Sequence, residues 1–79
     1  MKKLGKALHV SKTTGNLIVK AEAPAEIGAD VFTSKMRRVG TVFDVFGPTS
    51  GPYVAVKPAV GDVESLVGRT LYVASRRKP

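Results

Sequence analysis

Short apolar segments separated by clusters of turn residues run along the whole chain. Within the segments, β-branched and aromatic residues predominate, and Gly, Pro, Asn and Asp stand between them, as is typical of β-strands joined by turns. Between the last two segments, Asp62 is placed to cap a short helical turn that Gly68 ends. A small closed barrel accommodates such strands without exposed sheet edges. The pattern predicts strands over residues 4–10, 17–21, 31–32, 39–46, 53–57 and 70–74.

The predicted strand over residues 39–46 is apolar on both faces. Because alternate residues of a strand face opposite sides, we assign one face to the core and the other to the outside. In the first strand, Leu4, Leu8 and Val10 share one predicted face. The core face of the two central strands would hold Val39, Thr41, Phe43, Val45, Val54 and Val56. The outward residues and the loop prolines form a predicted apolar patch of Val42, Phe46, Pro48, Pro52, Tyr53 and Ala55.

A contiguous apolar patch of this kind indicates a partner-binding site, and aromatic residues are its favoured anchors. The two Gly-Pro pairs of the loop over residues 47–52 stiffen it, which reduces the entropy lost on docking. Aromatic side chains also close the ends of small barrels, and the alternative for Phe46 is that it folds back as such a plug. Because acidic and neutral residues surround the aromatic ones, the pattern favours a protein partner over direct nucleic-acid binding.

Length and charge distribution refine this picture. The chain has 79 residues and a formal net charge of +7, so we expect one barrel domain over residues 1–75 and a basic tail over residues 76–79. Residues 1–20 hold five lysines and no acidic residue, whereas residues 21–68 are slightly acidic. Basic ends indicate nucleic acid nearby, and the alternative is that they only aid solubility. The candidate RNA-proximal residues are Lys2, Lys3, Arg76, Arg77 and Lys78.

The chain carries few groups suited to catalysis. It contains no cysteine and a single histidine, His9, which we expect to face solvent from a strand rather than to bind a metal. The six carboxylates form no spaced pair for acid–base catalysis, and the glycines match no phosphate-binding loop. We therefore predict a protein without catalytic residues, metal or cofactor. The lack of cysteine, and of an apolar run near the roughly 18 residues of a membrane span, favours a soluble cytoplasmic protein.

Four segments resemble one known family. They are VGTVFDVFGP at residues 39–48, PYVAVKP at 52–58, VGRTLYV at 67–73 and LGKALH at 4–9. Together they resemble the glycine-arginine-rich-protein (GAR) subunit of H/ACA ribonucleoproteins in its short archaeal form. Eukaryotic members of that family carry flanks rich in Arg-Gly-Gly, and this sequence has none.

The resemblance implies an all-β fold, a small six-stranded antiparallel Greek-key barrel of the translation-factor (reductase/isomerase/elongation factor) type. It implies a non-catalytic accessory subunit of the H/ACA guide RNA particle, which docks on the catalytic pseudouridine synthase subunit and itself touches RNA weakly or indirectly. Such a subunit promotes substrate RNA loading and turnover in rRNA pseudouridylation, a step of ribosome biogenesis. The implied docking residues are Val42, Phe46, Gly47, Pro48, Pro52 and Tyr53.

Two alternatives stand beside the accessory subunit. The net charge of +7 also fits a direct RNA-binding barrel of the ribosomal-protein kind, whose binding would depend steeply on salt. A temporary assembly factor of the same family is the other alternative. The short chain argues against the assembly factor, because those relatives carry further domains.

Overall fold

The computed structural model describes residues 2–23 and 25–74, which contain six β-strands and one short 3₁₀ helix, Val63–Leu66. All the predicted strands are present, and their ends differ from the predicted ones by at most two residues. The predicted basic tail over residues 76–79 lies outside the described residues. The strands are β1 (Lys2–Val10), β2 (Leu17–Ala21), β3 (Asp30–Phe32), β4 (Arg38–Phe46), β5 (Tyr53–Pro58) and β6 (Thr70–Val73).

The six strands close into one antiparallel barrel in the order β1-β2-β5-β4-β3-β6, with β6 pairing back onto β1. Hairpins join β1 to β2, β3 to β4 and β4 to β5. The other two connections, from β2 to β3 and from β5 to β6, join strands that are not neighbours, as is typical of a Greek key. The prediction of a small six-stranded antiparallel barrel is therefore confirmed.

Small and branched aliphatic side chains fill the barrel. Val54 and Val56 face this core, as predicted, and Leu66 of the 3₁₀ helix adds to it. No polar or charged side chain among the described residues is buried. The interior is thus an apolar packing core, and polar chemistry is confined to the outer surface. The side chains with no exposed surface are Leu4, Val19, Val31, Val39, Val54, Val56 and Leu71.

A β-bulge interrupts the alternation of β4. The register with β5 shifts between Val42, which pairs with Val56, and Asp44, which pairs with Ala55. Phe43 is therefore an extra residue in the ladder. Val42 is 2% exposed and lies in the core, whereas Phe43 is 56% exposed. The predicted outward Val42 and inward Phe43 are both wrong, because this register shift and a second one, in the β3–β4 ladder, lie on either side of Val42 and break the alternation.

A second bulge lies in β1. The register with β2 shifts between Ala7 and His9, so Leu8 is the extra residue. Leu8 is 41% exposed, Leu4 is fully buried, and Val10 packs against the core cluster. The predicted common face therefore holds for Leu4 and Val10 but is wrong for Leu8.

The predicted helical turn is present, but Asp62 does not cap it. Its side chain makes no capping hydrogen bond to the helix backbone. The carboxylate instead accepts hydrogen bonds from the two terminal nitrogens of Arg37, at 3.3 and 3.2 Å. The predicted capping bond is absent because both carboxylate oxygens are directed at the Arg37 guanidinium. Gly68 follows with a φ of +88° and ends the turn as expected.

Candidate partner-binding face

Two aromatic rings stack on the outer surface of the β4–β5 hairpin. Phe46 and Tyr53 are paired directly across the hairpin, and directly paired residues point to the same side of a sheet. Their ring centroids lie 5.9 Å apart, with 26° between the ring planes. Phe46 is 45% exposed, so the alternative in which it plugs the barrel is wrong. The pair presents an ordered apolar surface to solvent.

Gly47 lets the loop pass close to this stack. Its φ is +94°, and a Cβ built on it would lie 3.0 Å from Cδ2 of Tyr53. Glycine adopts such a positive φ without steric cost, whereas other residues rarely do. The residue following β4 therefore helps to set the position of the Tyr53 ring.

The two prolines lie in a loop with defined contacts. The amide of Gly51 donates to the carbonyl of Pro48 at 3.1 Å, which closes a turn within the loop. The carbonyl of Pro52 accepts a hydrogen bond from the amide of Ala21 at 2.9 Å, which ties the loop to the end of β2. Pro48 is exposed and Pro52 is half-buried. Both therefore border the aromatic pair on a loop that is anchored to the barrel.

Phe46 separates two depressions on the surface. Beside the loop lies a groove of about 430 Å³, whose lining includes Ala21, Glu22, Ala25, Val45, Phe46 and Pro52. On the other side lies a depression of about 450 Å³, lined by Leu8, His9, Ser11, Ile18, Phe46 and Tyr53. Phe46 therefore contributes to both depressions, whereas Tyr53 lines only the second.

The apolar surface extends from the aromatic pair across β5 and β2 to β1. We call Leu8, Ile18, Phe46 and Tyr53 the apolar face, because these four side chains line one depression. Ala55 lies beneath it, paired with Ile18. Ala55 points outward, as predicted, but it is only 6% exposed, because larger neighbours surround its small side chain. Its predicted place as an exposed member of the patch is therefore wrong.

Two members of the apolar face were missing from the predicted patch. Ile18 stands between the core residues Leu17 and Val19, so strict alternation already indicates that it faces outward. Leu8 faces outward only because of the β1 bulge, which the sequence does not reveal. Of the predicted docking residues, the structure brings together Phe46, Gly47, Pro48, Pro52 and Tyr53, and it places Val42 in the core.

The exposed ion pairs of the described residues involve no member of the apolar face. Hydrogen bonds from the Arg37 guanidinium hold the pKa of the Asp62 carboxyl below its ordinary value. Exposed pairs of this kind contribute little to stability. The pairs are Lys3 with Glu22 at 3.3 Å, Arg37 with Asp62 at 3.2 Å, and Arg38 with Asp30 at 3.0 Å.

The candidate RNA-proximal residues are only partly described. Lys2 and Lys3 are exposed on β1, and Lys3 is paired with Glu22. Their proximity to RNA remains a prediction. The candidates in the tail lie outside the described residues, and they are Arg76, Arg77 and Lys78.

In the part of the chain that the structure describes, no group of three or more His, Cys, Asp or Glu side chains could hold a metal ion. His9 is exposed on β1, as expected from the sequence. No helix within residues 2–23 and 25–74 is long and apolar enough to cross a membrane.

The candidate site is an exposed, ordered aromatic pair on a small closed barrel with an apolar core. The family model described as "Gar1/Naf1 RNA binding region" matches residues 1–79. The chain therefore belongs to the Gar1/Naf1 family, and the resemblance found in the sequence is confirmed. The model describes an RNA-binding region rather than a catalytic domain, which agrees with a non-enzymatic role.

Two archaeal relatives are similar in sequence. An uncharacterised protein of Methanothermobacter thermautotrophicus is 44% identical over 77 residues, which cover 92% of this chain and 83% of that protein. An uncharacterised protein of Methanocaldococcus jannaschii is 36% identical over 59 residues, which cover 75% of this chain and 69% of that protein.

A solved structure, described as the Gar1 domain of Naf1, has the same fold. It superposes with a TM-score of 0.74 at 17% identity, over 94% of this chain and 83% of that chain. At this identity the likeness shows the fold alone, and it agrees with the closed six-stranded barrel described above.

Proposed function

We propose that this chain is a non-catalytic accessory subunit of an H/ACA RNA-guided pseudouridine synthase particle. Membership of the Gar1/Naf1 family, which is associated with H/ACA ribonucleoproteins, supports the general role. In the proposal, the chain docks on the catalytic synthase subunit and promotes substrate RNA loading and turnover in rRNA pseudouridylation. The proposed docking residues are Phe46, Gly47, Pro48, Pro52 and Tyr53.

The stacked pair of Phe46 and Tyr53 is the observation that carries the proposal. Aromatic side chains are favoured interface anchors because each removes a large apolar area from water at a small cost in side-chain entropy. Here the two rings are already stacked, and the neighbouring loop is already tied to β2. Less conformational entropy is therefore lost when a partner covers the pair.

A subunit that supplies no catalytic group can assist a reaction only by acting on its partner. A bound protein changes the rate of its partner's reaction only if it binds one state of the partner more tightly than another. In the proposal, the two states are the arrangements of the synthase that bind and that release substrate RNA. Conformational steps and product release limit the turnover of many enzymes. The proposed effect is therefore on loading and release rather than on the bond-making step.

Separate Phe46→Ala and Tyr53→Ala variants test the docking assignment. We expect each variant to bind the purified catalytic synthase subunit at least about tenfold more weakly than wild type, because truncating a buried aromatic anchor costs roughly 2 kcal/mol. Isothermal titration calorimetry measures the affinity. Pseudouridine formation under multiple-turnover conditions should fall in parallel.

The matched control is Met36→Ala. Met36 is an exposed large apolar residue, at 64%, in the turn between β3 and β4 at the far end of β4 from Phe46. The Met36→Ala variant should bind the synthase subunit with the same affinity as wild type. Thermal melts exclude unfolding as the cause of any loss. Wild-type affinity in both aromatic variants would show that the assigned face is wrong.

A direct RNA-binding barrel is the second candidate function. The description of the family model as an RNA-binding region and the net charge of +7 favour it. It predicts that the isolated chain binds guide RNA tightly and that the affinity falls steeply with salt. Filter binding at several salt concentrations tests this prediction. Only weak, non-specific binding would leave the accessory role as the better explanation.

A further inference from the structure

Two lysines lie directly opposite each other on the outer surface of β1 and β2. Lys6 pairs with Lys20 in the ladder, and both side chains are exposed. Like charges in directly opposed positions destabilise a sheet. The isolated barrel therefore bears a small cost at this position that a neutral or acidic residue would remove.

No carboxylate within the described residues forms an ion pair with either lysine. The ion pairs there involve Lys3, Arg37 and Arg38, and neither Lys6 nor Lys20 takes part. Glu22, which lies two residues beyond Lys20, is paired with Lys3. The two ammonium groups are thus free to receive an acidic group from outside the chain.

The lysine pair continues the row of the aromatic pair. Lys20 pairs with Lys6 on one side and with Tyr53 on the other, and Tyr53 in turn pairs with Phe46. One row across four neighbouring strands therefore reads Lys6, Lys20, Tyr53, Phe46. A partner that covers the aromatic rings also meets the two lysines, so both belong to one surface.

The neighbouring side chains favour a protein over RNA as the source of the acidic group. Leu8 and Ile18 are aliphatic and share a depression with the two rings, and an apolar centre with a charged rim is the anatomy of a protein interface. Surfaces that bind single-stranded RNA offer free aromatic faces to the bases. Here Phe46 and Tyr53 cover one face of each other.

We infer that Lys6 and Lys20 form a carboxylate-binding rim of the docking surface, and that the protein partner presents one or more Asp or Glu side chains to them. The inference rests on the proposed function, since it states the chemistry of the synthase surface that meets the apolar face. A carboxylate placed at the lysine pair converts a repulsion in the free chain into attraction in the complex.

Separate Lys6→Glu and Lys20→Glu variants test the inference. Each places an acidic residue opposite a lysine, so the thermal midpoint of the isolated chain should be equal to or higher than that of wild type. The affinity for the purified catalytic synthase subunit at low salt should fall at least about fivefold. Added salt should weaken binding of wild type more than binding of either variant.

Lys35→Glu is the matched control, because it makes the same change in net charge at an exposed lysine in the turn between β3 and β4. It should leave the affinity within about twofold of wild type, since this turn lies at the far end of β4 from Phe46 and salt screens charges that are far apart. Wild-type affinity in both Lys6→Glu and Lys20→Glu overturns the inference. So does a loss confined to RNA binding by the isolated chain, which would assign the lysines to RNA.

The failure of this inference is distinguishable from the failure of the proposed function. If wild type binds the synthase subunit and the two glutamate variants bind equally well, only the carboxylate-binding rim is wrong. If wild type shows no binding to the synthase subunit at all, the proposed function fails and the rim fails with it.

Discussion

Gly5 lies where the backbone of β1 comes close to that of β2. It pairs with Ala21 on β2 and with Leu71 on β6, and a register shift in the β1–β6 ladder lies between it and Lys3. A Cβ built on Gly5 would overlap the carbonyl oxygen of Lys20. At the residue scale, the absence of a side chain here is what permits the two strands to approach.

Gly5→Ala should therefore destabilise the barrel by about 3 kcal/mol or more, because the clash is with backbone, which cannot rotate away as a side chain can. Urea denaturation of the purified chain measures the free energy of unfolding. Gly61→Ala is the control, since nothing lies within 4 Å of a Cβ at that position. Equal stability of the two variants would contradict the close approach.

At the scale of elements, β4 shows what alternation can and cannot predict. Its existence and its ends follow from a dense run of β-branched and aromatic residues. The orientation of Val42 and Phe43 does not follow from the sequence, because the bulge depends on how β5 pairs with β4. One sequence feature is consistent with the bulge: the valines on the core side, Val39, Val42 and Val45, recur every third residue rather than every second.

The 3₁₀ helix is linked to the β3–β4 turn through Asp62. Arg37 donates two hydrogen bonds to this carboxylate, and Ser65 Oγ donates to the Asp62 carbonyl at 2.6 Å. The sequence places an acidic residue before the helical turn, but Arg37 is 25 residues away. A local sequence pattern therefore could not predict this contact.

The lowered pKa of Asp62 predicts how this link responds to acid. A carboxyl whose pKa is lower in the folded state stabilises that state above its ordinary pKa, and the effect is lost as the pH falls through the folded value. The melting temperature of Asp62→Asn should be slightly below that of wild type near neutral pH, because the pair is exposed, and the two temperatures should converge in strong acid. Thermal melts across this range measure the difference. If the difference in melting temperature persists in strong acid, the carboxylate charge is not its cause.

At the scale of the whole molecule, the ladders that close the barrel differ in length. β4 and β5 share six residue pairs, and β1 and β2 share five. β3 and β6 share two, Val31 with Val73 and Phe32 with Tyr72, supplemented by a hydrogen bond from the amide of Ala74 to the carbonyl of Asp30 at 3.0 Å. The seam between β3 and β6 is therefore the shortest.

Native-state hydrogen exchange should show this seam opening first. We expect the amides that join β3 to β6, including that of Ala74, to exchange faster than those within the β4–β5 and β1–β2 ladders, because local opening there breaks the fewest hydrogen bonds and apolar contacts. The two long ladders serve as controls within the same sample. Uniform exchange across the three ladders would show that the barrel opens only as a whole.

The sequence by itself determined the strands, the turns between them, the concentration of positive charge near the N-terminus and the family. These properties depend on local composition and on short motifs, which need no knowledge of the strands' partners. It also indicated Phe46 and Tyr53 as the aromatic anchors.

Only the tertiary structure decided which residues face the partner. The bulges at Leu8 and Phe43 and the opposition of Lys6 to Lys20 arise from the register between strands. That register is set when the barrel closes and buries its apolar faces together, and a shift of one residue in a ladder reverses every orientation beyond it. For this reason Val42 lies in the core rather than on the surface as predicted. For the same reason two lysines that are distant in sequence lie on the same surface as the aromatic pair.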